Sequence, residues 1–133
     1  MKIINTENAP KAIGPYSQAV KICNGTLYLS GQLGLDPKTM LLENNIELQT
    51  KRSLNNIYEI LKQAGYDKTD VVKTLVLLKD INDFSLVNSI YEEFFEEHKP
   101  ARSAFQAAAL PKDALIEIEV IAYKKETNCC LDK

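Results

Sequence analysis

The spacing of apolar residues changes period several times along the chain, and each change marks an element. Over residues 44–64, Thr50, Leu54, Ile57, Leu61 and Ala64 recur at steps of four and three, with Gly65 placed to end the run. That spacing gathers side chains on one face of a helix, and a glycine suits the residue just past its end. A second stripe, Phe84, Val87, Tyr91 and then Phe94 or Phe95, follows Asp80 or Asn82 as N-cap and stops before Pro100. Between the stripes, residues 71–79 are β-branched and apolar on both alternating faces, the pattern of a strand covered on two sides.

Shorter apolar runs at 19–23 and 26–30 flank Asn24-Gly25, a pair that tolerates the positive φ angles of a tight turn, and predict a β-hairpin. The stretch from Gly31 to Pro37 holds two glycines and a proline and predicts a loop with free backbone groups. Two further strands fall near 102–108 and 115–123, joined by Leu110-Pro111-Lys112-Asp113. The order is β-β-(β)-α-β-α-β-β, an α+β arrangement in which two helices cover only one face of the sheet. In the last strand Ile116, Ile118, Val120 and Ala122 make one apolar face, and Leu115, Glu117, Glu119, Ile121 and Tyr123 make a mixed second one. Another copy of the chain is the economical cover for that second face, with a site at the seam.

A length of 133 residues accommodates one core, with 45% hydrophobic and 26% charged residues, as in ordinary globular domains. A single domain is expected over 1–124, followed by a polar tail over 125–133. The formal charge is -2 and no basic run is longer than the Lys124-Lys125 pair, which disfavours a nucleic-acid partner, since phosphates call for a clustered positive face. No stretch is apolar for long enough to span a bilayer, and the N-terminal residues lack a secretory apolar segment, so a cytoplasmic location is expected. Cys23, Cys129 and Cys130 show neither a disulfide framework nor metal spacing and predict three reduced thiols.

The chain contains two arginines. Arg52 follows Lys51 on the first helix and reads as a surface charge. Arg102 opens a strand among small and apolar residues, where an unpaired guanidinium is costly, so it must meet a carboxylate: either Glu119 or one carried by a ligand. Glu119 and Glu117 alternate outward from the helix-packed face, either as solvated carboxylates or as a base at a subunit seam. His98 closes the second helix, where a hydrogen-bonding side chain complements free carbonyls. Tyr16, after Gly14-Pro15, reads as a lid over the core.

Together, Ala12-Ile13-Gly14-Pro15-Tyr16-Ser17-Gln18-Ala19, Ser30-Gly31-Gln32, the helix 49–65, Asn82-Asp83-Phe84 through Asn88, Pro100-Ala101-Arg102-Ser103, Leu110-Pro111-Lys112-Asp113 and Ile116-Glu117-Ile118-Glu119 resemble the reactive intermediate deaminase A (RidA/YjgF) family. The resemblance runs from about residue 2 to Tyr123. It implies a chorismate-mutase-like single domain, a mixed sheet with two helices on one face, in a homotrimer whose sheets face inward. The implied activity is hydrolysis of 2-imino acids such as 2-iminobutanoate and 2-iminopropanoate to 2-keto acids and ammonia, without cofactor or metal. Carried onto this chain, Arg102 would hold the substrate carboxylate and Glu119 would orient or deprotonate water. Tyr16 and Ser30 would line the pocket, Gly31 would offer backbone groups, and Asn88 would contribute from the second helix. Ala104 stands where archetypal members commonly have cysteine, which implies a changed pocket volume. The competing readings are a carboxylate-binding or chaperone-like trimer and, third, an endoribonuclease.

Overall fold

The computed structural model describes residues 1–126; the expected polar tail lies outside them except for residues 125 and 126. In chain order the elements are β1 (Lys2–Ile4), β2 (Ala19–Lys21), β3 (Thr26–Leu29), β4 (Gln32–Leu33), α1 (Ile46–Gln63), β5 (Val71–Leu78), α2 (Phe84–Phe95), β6 (Ala101–Gln106) and β7 (Ile116–Tyr123). The sheet runs β1-β2-β3-β7-β5-β6, with the short β4 also pairing β7. All pairs are antiparallel except β5 with β6, which α2 joins by a crossover.

Both helices form where the apolar stripes predict. Asn45 caps α1 by accepting a hydrogen bond from the Leu48 amide at 2.9 Å, and Gly65, at φ 83°, ends it. Thr50, Leu54, Ile57 and Leu61 are all buried. Ahead of α2, Asp80 caps a short 3-10 turn over Ile81–Asp83 that leads into the helix at Phe84. The hairpin also forms, and Gly25 at φ 95° is obligatory there: a Cβ would lie 2.0 Å from the Lys124 carbonyl oxygen.

The two helices pack on one sheet face. Ile116, Ile118, Val120 and Ala122 of β7 and Val76 and Leu78 of β5 are buried beneath them, together with Leu27 and Leu29 of β3. On the other face Lys73, Leu75 and Leu77 remain half-buried and Tyr28, Phe105 and Tyr123 exposed, so within one chain β5 is covered on one side, not two.

Three other departures from the sequence pattern have physical causes. β1 was not foreseen: its three residues carry no alternation, and pairing with β2 alone makes them a strand. β4 sits inside the predicted loop because Gln32 and Leu33 pair with Ile118 and Glu117, a contact remote in sequence. Cys23 is disulfide-bonded, which corrects the expectation of three reduced thiols.

The helix α1 also carries buried polar side chains, and these hold the loop after β3. The Ser53 hydroxyl donates to the Gln32 carbonyl at 2.7 Å, and the Asn56 amide donates to the Leu33 and Leu35 carbonyls at 3.2 and 2.9 Å. Gln49 donates to the Glu43 carbonyl at 2.9 Å and accepts from the Leu115 amide at 2.9 Å, tying the start of β7 to the same helix. Buried backbone carbonyls require such partners. Ser53→Ala leaves the Gln32 carbonyl unpaired and should cost about 1–3 kcal/mol, read as a lower urea midpoint with an unchanged m-value.

Candidate active site

Two clefts contain most of the residues singled out in the sequence. The first, of about 510 Å³, is lined by Tyr16, Ser30, Gly31, Gln32, Met40, Lys112 and Glu117 among others. Its walls are the loop ahead of β2, the β3–β4 junction and the turn before β7. Gln18, only 2% exposed, anchors the first of these by donating to the Thr6, Ala9 and Pro10 carbonyls at 3.0, 3.3 and 2.9 Å. Ser30 donates its hydroxyl to the Ser17 carbonyl at 2.6 Å, which closes the wall and leaves its oxygen as an acceptor. Tyr16 stands at the mouth, 54% exposed.

Glu117 is the carboxylate of this cleft. A Cβ on Gly31 would lie 2.3 Å from Glu117 Oε1, so the absence of a side chain at Gly31 makes room for that group. Burial, and then the neighbouring charge of Glu119, hold the Glu117 pKa above the ordinary carboxylate range. Glu119 itself is exposed and lines neither cleft. The two glutamates share a face as expected, but the pairing of Gln32 and Leu33 with β7 brings Glu117 to the cleft. Alternation alone does not separate them.

The cleft margin contains left-handed backbone at non-glycine residues: Met40 at φ 59°, Lys112 at 58° and Asp113 at 55°. Asp113 is braced by an ion pair to Lys79 at 2.8 Å. Strained residues of this kind persist where their surroundings over-determine them, and they cluster at functional sites.

The second cleft, of about 440 Å³, lies over α2 and contains Arg102, Asn88, Tyr91, His98 and Lys99 among its lining residues. Arg102 starts the edge strand β6 and points to the helix side. Its Nη1 donates to Asn88 Oδ1 at 2.7 Å, and its Cζ lies 4.9 Å from the Tyr91 ring centroid and 5.2 Å from that of Phe84. No carboxylate of the described residues forms an ion pair with it. The exposed guanidinium therefore has N–H donors to offer.

Ala104 packs against the core two residues further along β6 and lines neither cleft. His98 donates from Nε2 to the Val71 carbonyl at 2.6 Å, at the start of β5, so its side chain ties the chain after α2 to the sheet instead of complementing the helix's own free carbonyls. Arg52 is not a free surface charge. It pairs with Glu43 at 3.1 Å and Asp36 at 3.4 Å, bracing the loop between β4 and α1.

The two half-sites face opposite sides of the sheet, Arg102 toward α2 and Glu117 toward the uncovered face, and one chain does not close them into a single pocket. Among the described residues no group of three or more His, Cys, Asp or Glu is placed to hold a metal ion, and no helix is long and apolar enough to cross a membrane.

The fold and clefts define a mixed α+β domain with an arginine that has no ion-pair partner among the described residues and a partly buried glutamate, on separate faces. A family model described as Endoribonuclease L-PSP matches residues 6–124. The bovine (Bos taurus) 2-iminobutanoate/2-iminopropanoate deaminase is 56% identical over 122 residues, 91% of this chain and 88% of its own. A RutC family protein of Pyrococcus horikoshii is 54% identical over 125 residues, 93% and 98% of the two chains. The crystal structure of RidA from the Antarctic bacterium Psychrobacter superposes with a TM-score of 0.90 at 46% identity, covering 93% of this chain and 100% of the other. The chain belongs to the Endoribonuclease L-PSP family, also called YjgF/RidA.

Because the folded state holds the Glu117 pKa up, protonation favours folding: this contribution is complete below the unfolded-state pKa and is lost as pH rises through the folded one. Glu117→Gln should therefore melt higher than the unsubstituted protein at pH 8, with the gain vanishing by about pH 4, near the model-peptide value. Paired melting curves across that range check it.

Proposed function

We propose that the protein hydrolyses small 2-imino acids, 2-iminobutanoate and 2-iminopropanoate, to 2-keto acids and ammonia, in a homotrimer whose sites lie between subunits. The observation that carries this reading is the unpaired Arg102 guanidinium, set by Asn88 at 2.7 Å and open to a planar carboxylate. Sequence identity of 56% to the bovine deaminase over 91% of the chain supports the same substrate class.

Arg102 binds the substrate carboxylate and so fixes the adjacent C=N carbon for attack, a positioning contribution. Glu117, in place of Glu119, handles protons. Its raised pKa makes its carboxylate a stronger base than an ordinary one. As carboxylate it takes a proton from the attacking water while the oxygen bonds to the imine carbon. With the imine protonated, this gives a neutral carbinolamine. Glu117 passes the water proton to its nitrogen, then takes the hydroxyl proton as the carbonyl forms and ammonia leaves with the C–N electron pair, and finally returns that proton to solvent. Tyr16, Ser30 and Gly31 shape the cavity around the reacting carbon, while Asn88 acts on the guanidinium; Ala104, packed on the core, takes no direct part. A chorismate-mutase-like trimer would cover the exposed Tyr28, Phe105 and Tyr123 on the uncovered face, and in it the edge strand of one copy would bring Arg102 to the Glu117 cleft of the next. A cytoplasmic setting fits a scavenger of imines released by dehydratases.

Release of 2-oxobutanoate from threonine and a threonine dehydratase should accelerate when the protein is added. Arg102→Ala, and equally Arg102→Lys, should lower that acceleration about 10–100-fold, since an ammonium lacks the planar fork. No acceleration by the unsubstituted protein would reject the reaction.

The shared site has its own test. Arg102→Ala and Glu117→Gln chains, each strongly impaired alone, should recover roughly a quarter of full activity when unfolded, mixed equally and refolded, because random assembly pairs an intact arginine with an intact glutamate at that frequency. No recovery would place both groups within one chain's site.

A further inference from the structure

We infer that Phe84 and Tyr91 are positioning residues for the substrate carboxylate: they form an aromatic cradle that sets the plane of the Arg102 guanidinium. The inference rests on the reading of Arg102 as the carboxylate-binding group. Phe84, Asn88 and Tyr91 follow one another on α2 at steps of four and three, so they share one helix face beneath β6. Two of them offer ring faces at 5.2 and 4.9 Å from Cζ, and the third takes one N–H through its amide oxygen at 2.7 Å. A cation over an aromatic face is attracted to the ring quadrupole, and a planar guanidinium is further restrained in tilt when it stacks.

The cradle is itself fixed. Tyr91 is 8% exposed, its hydroxyl lies 2.7 Å from Thr74 Oγ1, and its ring packs against Phe95 with centroids 4.8 Å apart. Thr74 is also the β5 residue directly opposite Arg102 in the β5–β6 register. Strand pairing, the Thr74–Tyr91 hydrogen bond and the Tyr91–Arg102 contact thus close a ring of three interactions around the guanidinium. An arginine on an exposed edge strand would otherwise spread over many rotamers, and a carboxylate would have to order it on binding. Here the ordering is in place before the ligand arrives, and the N–H groups not given to Asn88 remain as donors.

The test compares Tyr91→Phe, Tyr91→Leu, Phe84→Leu and Val87→Ala by calorimetric titration with 2-oxobutanoate, alongside melting curves and imine turnover. Tyr91→Phe keeps the ring and should bind within about twofold of the unsubstituted protein, although it melts lower because Thr74 loses its partner. Tyr91→Leu and Phe84→Leu should each weaken binding by about three- to tenfold. Val87→Ala, a buried position on the same helix, should melt lower with an unchanged Kd. Loss of affinity in Val87→Ala matching that in Tyr91→Leu, equal weakening by Tyr91→Phe and Tyr91→Leu, or undiminished affinity in Tyr91→Leu would each overturn the cradle. If the unsubstituted protein binds 2-oxobutanoate without hydrolysing imines, the proposed reaction fails and the Kd series still decides the cradle; no measurable binding would overturn the cradle as well.

Discussion

In β7 every second side chain points at the helices, and those four, Ile116, Ile118, Val120 and Ala122, are buried almost completely. The residues between them are thereby forced onto the face that the helices leave uncovered, whatever their chemistry. That constraint puts two glutamates side by side on a largely apolar surface. Pairing with β4 then distinguishes them: Glu117 is drawn against Gly31 and half-buried, while Glu119 stays in water and acts through its charge. The chemistry of the cleft follows from the packing of the opposite face.

The guanidinium half of the site is built by a different route. The crossover through α2 makes β6 parallel to β5 and leaves it at the sheet edge, so Arg102 reaches over the helix that has just preceded it in sequence. Local chain order supplies Phe84, Asn88 and Tyr91 beneath it at helical spacing. The glutamate half depends on long-range contacts instead, with Ser53 and Asn56 of α1 clamping the Gln32–Leu35 backbone into place.

That contrast explains what could be read from the sequence. The helices were legible because their apolar stripes and Gly65 are local signals, and the hairpin because Asn24-Gly25 is one too. Arg102 was legible as a site candidate from its own local setting, whereas Asn88 entered only through the family resemblance. β1 and β4 escaped, being two or three residues long and defined only by their partners. The choice between Glu117 and Glu119 was out of reach of any period-2 argument, since it depends on a pairing partner more than eighty residues earlier. Arg52 looked like a solvated charge because the loop that carries Asp36 and Glu43 folds back onto α1 only in three dimensions.

The left-handed backbone at Met40, Lys112 and Asp113 has an evolutionary consequence. Each such residue stores on the order of 1–3 kcal/mol that glycine or asparagine would relieve. Selection for a hardier protein would therefore find its easiest gains at the rim of the Glu117 cleft, where looser backbone would also blunt the shape that receives the substrate. Thermal hardiness and turnover are set against each other at these few positions of two separate loops, and descendants adapted to heat should have sought their robustness elsewhere in the molecule.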